Sequence, residues 1–278
     1  MNADEEQGGV PGFRISDSDR RRKEPKVAIL VTNDDGIYAE GLSALNRELR
    51  KIAETIVFAP STEKSGVAHG VTLSCPIALE KVTLDGSIAY AVEGTPVDCV
   101  KIAVKGMGIP KPELVVSGIN AGANVGIDVI YSGTVSAAVE AAIMGIPAVA
   151  ISLNTRESPD FSFAARFAAE LASSLLKDRF LPEHVLLNVN VPSVPEKQIK
   201  GVAITKQSRS CYGEKFERED VSPDKIVFRL SGKLSDLTEP LDYDVAALSQ
   251  NYISITPIHF DLTHHPSIDS LLRRKFGR

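Results

Sequence analysis

The sequence predicts an α/β fold with a mainly parallel sheet, helices on both faces of that sheet, and a smaller C-terminal antiparallel lobe. Short, continuously apolar runs, typical of strands buried on both faces, alternate with segments whose apolar residues recur with a helical period. Strand, helix and strand follow one another in turn, which implies parallel strands joined by right-handed crossovers. Beyond Pro195 the alternation stops, and long polar segments separate the apolar runs.

The first predicted unit is a strand at 27–31, a helix over 42–52 and a second strand at 55–58. Both strands are continuously apolar, and the helix carries leucine and isoleucine at spacings of 3, 4 and 3 residues. The later elements of the core, in chain order, are strand 88–92, helix 96–105, strand 114–116, helix 135–144, strand 148–153, helix 161–177 and strand 185–191.

The chain divides into three predicted parts. Residues 1–25 are polar and lack periodicity, so we expect a disordered extension; 26–194 form the catalytic core and 195–278 the C-terminal lobe. The elements predicted in this lobe are strands 202–205, 226–230 and 253–255 and a helix at 268–276. Extended arms of this kind suggest contacts between subunits.

Composition excludes several classes of protein. The chain has 278 residues and a formal net charge of −5, from 31 Lys and Arg against 36 Asp and Glu. An acidic balance argues against a protein that coats a nucleic-acid polymer. The sequence has no apolar run of the roughly 18 residues expected of a membrane span, and its acidic N-terminal residues are unlike a secretory signal. We therefore expect a cytoplasmic protein that binds neither nucleic acid nor a membrane.

Polar, glycine-containing segments follow three predicted strands. They are Thr32-Asn33-Asp34-Asp35-Gly36, residues 61–66 with Ser65 and Gly66, and residues 117–126 with Asn120 and Asn124. Ligands bind at the carboxyl ends of strands in open parallel sheets, so these segments are expected to meet there. Carboxylate, hydroxyl and amide oxygens are hard donors that suit Mg²⁺, Mn²⁺ or Ca²⁺.

A fourth segment, Tyr131-Ser132-Gly133-Thr134, opens the predicted helix at 135–144. Free backbone N–H groups at a helix start make a ready site for an anion. A cation site beside an anion site fits metal-assisted hydrolysis of a phosphate ester. Each segment also has an ordinary explanation, since Asp and Asn are common in turns and Ser and Thr cap helices.

Motifs of other enzyme classes are missing from the sequence. It contains no G-x-x-x-x-G-K-[ST] run, no G-x-G-x-x-G after the first strand and no G-x-S-x-G elbow, which argues against P-loop, dinucleotide-binding and serine-hydrolase sites. His69 follows Ser65 closely and is a candidate proton donor to a leaving alkoxide.

Between Val27 and Thr263 the sequence resembles the SurE (survival protein E) family of metal-dependent 5'-nucleotidases. Besides the first segment, the resemblance rests on Gly94-Thr95-Pro96-Val97-Asp98-Cys99, Ser117-Gly118-Ile119-Asn120, Tyr131-Ser132-Gly133-Thr134-Val135, Asn188-Val189-Asn190-Val191-Pro192 and Ser254-Ile255-Thr256-Pro257. The order and spacing of these pieces are more specific than any one of them.

The resemblance implies a Rossmann-like core, a C-terminal part that takes part in homodimer or homotetramer assembly, and hydrolysis of nucleoside 5'-monophosphates by metal-activated water. Nucleoside 3'-monophosphates and short polyphosphate are further implied substrates. It also implies one divalent ion per subunit, Mg²⁺ or Mn²⁺ for preference. The implied ligands of that ion are Asp34, Asp35, Ser65 and Asn120, with the two aspartates as catalytic residues. The implied phosphate or substrate contacts are Asn33, Gly66, Asn124, Ser132, Gly133 and Thr134.

The sequence departs from the family pattern at two places and leaves two alternatives open. Lys64 stands near a position where many relatives have Arg, and Asn251 stands where many have Gly. One alternative is an aspartyl-phosphate phosphatase, although such enzymes usually place one residue between their two Asp. The other is a nucleotide- or metal-binding sensor without catalytic activity.

Overall fold

A computed structural model describes residues 28–155, 157, 159–210, 212–222, 225–234, 239–274 and 276. The extension predicted at 1–25 and the first residue of the strand predicted at 27–31 lie outside the described residues. In the described parts the strands are β1 (Ile29–Thr32), β2 (Thr55–Pro60), β3 (Leu79–Leu84), β4 (Ser87–Val92), β5 (Leu114–Ala121), β6 (Ala148–Leu153), β7 (Leu186–Val191), β8 (Val202–Ile204), β9 (Tyr212–Ser222), β10 (Lys225–Leu234) and β11 (Ile253–Ile258). The α-helices are α1 (Glu40–Leu49), α2 (Pro96–Lys101), α3 (Gly133–Ile143), α4 (Ser162–Asp178), α5 (Asp244–Ser249) and α6 (His265–Leu272).

Nine strands form one large sheet in the order β3-β4-β2-β1-β5-β6-β7-β11-β8. The six strands from β4 to β7 in this order run parallel, whereas β3 is antiparallel to β4, and β11 is antiparallel to β7 but parallel to β8. β9 and β10 form a separate antiparallel hairpin. This architecture confirms the predicted α/β fold with a mainly parallel sheet.

Two apolar cores lie on opposite faces of the large sheet. On one face α1 and α4 pack with Ile29 and Val31 of β1, and on the other face α2 and α3 pack with Leu30. Successive side chains of a strand point to opposite faces, so a strand covered by helices on both sides needs an apolar residue at every position. That requirement explains the continuous apolar runs in the sequence.

Several features differ from the sequence-based expectation, among them β5, which was predicted to end at 116 but continues to Ala121, and α5, which was not predicted. β3 and β9 were not predicted, because β3 is an edge strand with exposed Glu80 and Lys81, and β9 is charged along most of its length. The helix predicted at 96–105 is α2 followed by a π-helical turn at Ile102–Gly106. β8 and β11, which the sequence assigned to the C-terminal lobe, extend the large sheet because β11 pairs with β7.

Asn251, at the end of the turn before β11, adopts a left-handed backbone with φ of +65°. Asparagine is among the few residues other than glycine that tolerate this region. Asn251 is therefore compatible with this turn. None of the helices built from the described residues has the length and apolar character needed to cross a membrane.

Candidate active site

The loop after β1 is shaped by Asn33, whose side chain is fully buried. Its Nδ2 donates to the Gly36 carbonyl (2.9 Å), and its Oδ1 accepts from the Gly36 N–H (3.3 Å). Gly36 has φ of +106°, a conformation that favours glycine. The Asn33 amide is thus committed to the turn that presents Asp34 and Asp35.

Asp34 touches the start of α3. The Thr134 hydroxyl donates to Asp34 Oδ1, and both residues are buried. A Cβ added to Gly133 would lie 2.8 Å from Asp34 Cβ and 2.9 Å from its Oδ2, so only glycine permits this approach. The structure therefore brings the first carboxylate of the loop directly against the helix start predicted to hold an anion.

Burial raises the pKa of Asp34, and hydrogen bonds from Thr134 and from backbone N–H groups only partly offset that effect. The groups in the described part of the chain that lower this pKa are a hydroxyl and backbone amides, with no cationic side chain among them. A buried carboxylate is costly unless a positive charge compensates it. A divalent cation beside Asp34 would supply that charge, so the surroundings of Asp34 fit a metal ligand.

The loop after β2 is joined directly to the first loop. The backbone N–H of Lys64 donates to the Asp34 carbonyl at 2.7 Å, which places Ser65 one residue beyond that contact. Ser65 and Gly66 are exposed, and the Ser65 hydroxyl donates to Glu63 Oε1 at 2.7 Å. The structure thus brings the Ser65 backbone near Asp34, while the Ser65 hydroxyl contacts Glu63.

Asn120 reaches the same edge of the sheet from β5. Thr32 of β1 lies opposite Ser117 of β5, so Asp35 and Asn120 each follow this pair by three residues. Asn120 Nδ2 donates to the Gly122 carbonyl at 2.7 Å, which directs the amide oxygen away from that carbonyl. Asp35 and Asn120 are both half-buried, as residues that reach a solvent-filled site should be.

Asn124 is held by polar side chains of β6 and β7. Its backbone N–H donates to Asn190 Oδ1 (2.8 Å), its carbonyl accepts from Asn188 (2.8 Å) and Asn190 (3.0 Å), and its Nδ2 donates to Ser152 Oγ (2.8 Å). These three partners are fully buried. The network fixes Asn124 firmly at the carboxyl edge of the sheet.

The start of α3 has the features of an anion site. Ser132 is the N-cap, and its hydroxyl accepts from the Val135 N–H at 3.1 Å. Gly133 and Thr134 follow in the first turn, where backbone N–H groups lack partners within the helix. The backbone of Gly133 and Thr134 hydrogen-bonds Asp34, so a carboxylate contacts the turn that binds anions at helix N-termini.

Sequence reasoning missed Asp244, a fully buried residue at the start of α5. Its carboxylate accepts backbone N–H groups of Gly126 (2.9 Å), Ser208 (2.9 Å) and Val245 (2.8 Å). Burial raises the pKa of Asp244, and these hydrogen bonds partly offset the rise. Asp244 thereby attaches the loop between Asn124 and Ser132 to the C-terminal part of the chain. An Asp early in a helix reads as an ordinary cap, so the sequence carried no signal for this role.

His69, the candidate proton donor to a leaving alkoxide, contacts a carboxylate of α3 in this structure. Its Nε2 lies 3.0 Å from Oε2 of Glu140, in the second half of α3.

Within the described residues, no group of three or more His, Cys, Asp or Glu is arranged to hold a metal. A cation at the site would therefore depend on neutral oxygens as well as on Asp34 and Asp35.

Comparisons with known proteins identify the family of this chain. The family model "Survival protein SurE" matches residues 29–214. The 5'-nucleotidase SurE of Syntrophus aciditrophicus is 49% identical over 245 residues, covering 87% of this chain and 91% of that protein. The 5'-nucleotidase SurE of Moorella thermoacetica is 47% identical over 239 residues, covering 85% and 92%. The crystal structure of the SurE protein from Aquifex aeolicus superposes with a TM-score of 0.77 at 35% identity, covering 88% of this chain and 98% of that one. Family model, relatives and structure agree: the chain belongs to the SurE family.

Proposed function

We propose that the chain is a metal-dependent phosphomonoesterase that hydrolyses nucleoside 5'-monophosphates to nucleoside and phosphate. The contact between Asp34 and the start of α3 carries this proposal. It places a buried carboxylate, whose surroundings fit a metal ligand, at the start of α3, where a phosphoryl group would also bind. The names of the relatives, 5'-nucleotidase SurE, support a nucleotide as the substrate.

Asp34, Asp35, Ser65 and Asn120 would hold one divalent ion per subunit, with Mg²⁺ or Mn²⁺ as the first choices. Their oxygens are the hard donors that these ions prefer. When bound, such an ion lowers the pKa of water and offsets charge on phosphoryl oxygens. The exposed Ser65 hydroxyl would exchange its partner Glu63 for the ion.

The other site residues would bind and orient the substrate. Ser132, Gly133, Thr134 and Asn124 would lie beside the phosphoryl group at the start of α3, where the backbone of Gly133 and Thr134 also hydrogen-bonds Asp34. Asp34 or Asp35 would orient the attacking water. Gly66 would leave room for the phosphate, whereas Asn33 would act through the turn it closes, because its amide is committed to Gly36.

Phosphate release from AMP in the presence of Mn²⁺ tests the proposal. We expect Asp35→Asn and Asn120→Ala to abolish release while the circular dichroism spectrum and unfolding midpoint stay unchanged. Asp178→Asn, at the end of α4, is the matched control and should retain activity. Full activity in folded, chelator-treated protein would contradict the proposal. Trapping of a labelled Asp with hydroxylamine or borohydride would favour an aspartyl-phosphate intermediate instead.

A substrate and metal panel would refine the assignment. Nucleoside 5'- and 3'-monophosphates and short polyphosphate, each assayed with Mg²⁺, Mn²⁺ and Co²⁺, would define the preferred substrate and metal.

We further propose a cytoplasmic homodimer or homotetramer. The β9–β10 hairpin supports self-association, since Phe216, Phe228 and Leu230 expose 64%, 57% and 61% of their surface. Light scattering after size exclusion would test the oligomeric state.

A further inference from the structure

The segment that carries Ser65 has no helix or strand but is attached to the protein at several points. Residues 61–72 are called the Ser65 loop below. Backbone N–H groups of this loop donate from Ser61 to Val92 (2.8 Å), from Lys64 to Asp34 (2.7 Å) and from Ala68 to Tyr131 (3.1 Å). Between the second and third attachments, Ser65 and Gly66 are exposed to solvent.

The side chain of His69 provides a further attachment, to a carboxylate inside α3. Glu140 is 3% exposed, with Oε2 3.0 Å from His69 Nε2 and Oε1 accepting from Lys101 Nζ. Burial raises the pKa of Glu140, but the contacts with His69 and Lys101 outweigh that effect and lower it. Removing one partner of a buried carboxylate is strongly destabilising. The Glu140 carboxylate therefore favours a conformation of the Ser65 loop in which His69 contacts it.

α3 places this contact relative to the proposed metal ligands. Glu140 follows Gly133 by seven residues, close to two helical turns, so both lie on nearly the same face about 10 Å apart. At its start the helix touches Asp34, and two turns later it holds His69. One rigid element therefore sets the distance between the first loop and the Ser65 loop.

The backbone next to His69 also shows that the loop is held in a defined shape. Ala68 has φ of +51°, a left-handed conformation that is unfavourable for a residue with a Cβ. Such a conformation persists only where the surroundings determine it. The Ala68 hydrogen bond to Tyr131 and the His69 contact with Glu140 lie on either side of this strained point.

We propose that His69 and Glu140 are positioning residues: their contact, the His69–Glu140 clamp, fixes the Ser65 loop beside the first loop, so that the Ser65 hydroxyl can turn from Glu63 to an ion held by Asp34 and Asp35. The inference rests on the proposed function, since it takes Ser65 as a ligand of the divalent ion. It assigns His69 to the loop rather than to proton transfer.

Binding of Mn²⁺ to the metal-free full chain, measured by calorimetry without substrate, tests the clamp. We expect His69→Ala to weaken Mn²⁺ binding by about 10- to 100-fold, the usual effect of removing a partner behind a metal ligand. Glu140→Gln keeps an oxygen that accepts from His69, so it should weaken binding less than Glu140→Ala does. If Glu140→Ala does not fold, His69→Ala, at a partly exposed position, still decides the question.

Two further variants separate positioning from other effects. Lys101→Met removes the other side chain that contacts the Glu140 carboxylate, and it should bind Mn²⁺ as the unsubstituted chain does. In a Ser65→Ala background, His69→Ala should cause no additional loss, because residues that act through one another are not additive. A full additional loss in that background would overturn the clamp, as would equal losses for Lys101→Met and His69→Ala.

The outcomes distinguish a wrong clamp from a wrong function. Unchanged Mn²⁺ affinity in His69→Ala, together with lost binding in Asp35→Asn, overturns the clamp and leaves the metal site standing. A fall in kcat with unchanged Mn²⁺ affinity also overturns it, since His69 would then act on the substrate. If the unsubstituted chain itself binds no Mn²⁺, the proposed function fails and the clamp fails with it.

Discussion

Gly133→Ala places a methyl group where the structure has no room for it. The added Cβ would lie 2.8 Å from Asp34 Cβ, 2.9 Å from Asp34 Oδ2 and 3.2 Å from Pro96 Cγ. Asp34 cannot simply retreat, because its carbonyl accepts from Lys64 and its carboxylate from Thr134. Overpacking of this kind costs about 1–3 kcal/mol, against at most about 1 kcal/mol gained from the better helix propensity of alanine.

We therefore expect Gly133→Ala to lower the free energy of unfolding by on the order of 1 kcal/mol, the difference between these two terms. AMP hydrolysis should fall far more, by about 100-fold, since a displacement near 1 Å has that effect on a catalytic group. Urea unfolding and a phosphate-release assay measure the two quantities on the same preparation.

Gly106→Ala is the matched control for this experiment. The added Cβ would meet Ile102 Cγ2 at 3.5 Å, an ordinary contact, at the end of the π-helical turn. It should leave both stability and activity near those of the unsubstituted chain. If Gly133→Ala behaves like Gly106→Ala in both assays, the close approach of α3 to Asp34 does not exist in solution.

Two further predictions concern buried aspartates. Burial raises the pKa of Asp98, but hydrogen bonds from Thr72 and Thr95 outweigh it and hold the pKa below its ordinary value. The charge of Asp98 therefore stabilises the fold above the unfolded-state pKa, and this stabilisation disappears as pH falls through the lowered folded-state pKa. Asp98→Ala should reduce the urea midpoint at pH 7 and have little effect on it near pH 2. If the substitution lowers the midpoint equally at both pH values, the assignment is wrong. Asp244→Ala should cost on the order of 3 kcal/mol, because it strands buried N–H donors, and should raise KM for AMP. Asp242→Ala, at an exposed neighbouring residue, should do neither, and equal effects of the two variants would refute the role of Asp244.

Most of the parallel sheet could be predicted from the sequence, because burial on both faces leaves a continuous apolar run for each central strand. Edge and hairpin strands were harder to predict, since they are not covered on both faces and carry charged residues, such as Glu80 and Lys81 in β3 and many residues of β9. The first predicted helix, over 42–52, is α1, three residues shorter at its end and two longer at its start.

The candidate site could be predicted as a set of loops but not as a set of contacts. Asp34 and Asp35 follow β1, and Asn120 lies near the carboxyl end of β5, so strand position alone places them at one edge. The contacts of Asp244 with Gly126 and of His69 with Glu140 join residues 118 and 71 positions apart. Such pairings depend on how helices and loops dock, which local periodicity does not encode.

The pairing of β7 with β11 has a consequence for the growing polypeptide on the ribosome. β7 ends at Val191, but the strand that covers its outer edge is Ile253–Ile258, so this edge stays open while more than sixty intervening residues are translated. An open strand edge in a nascent chain is a template for aggregation. Premature termination between these two strands should therefore yield insoluble fragments, and chaperone demand should be greatest during this interval of synthesis.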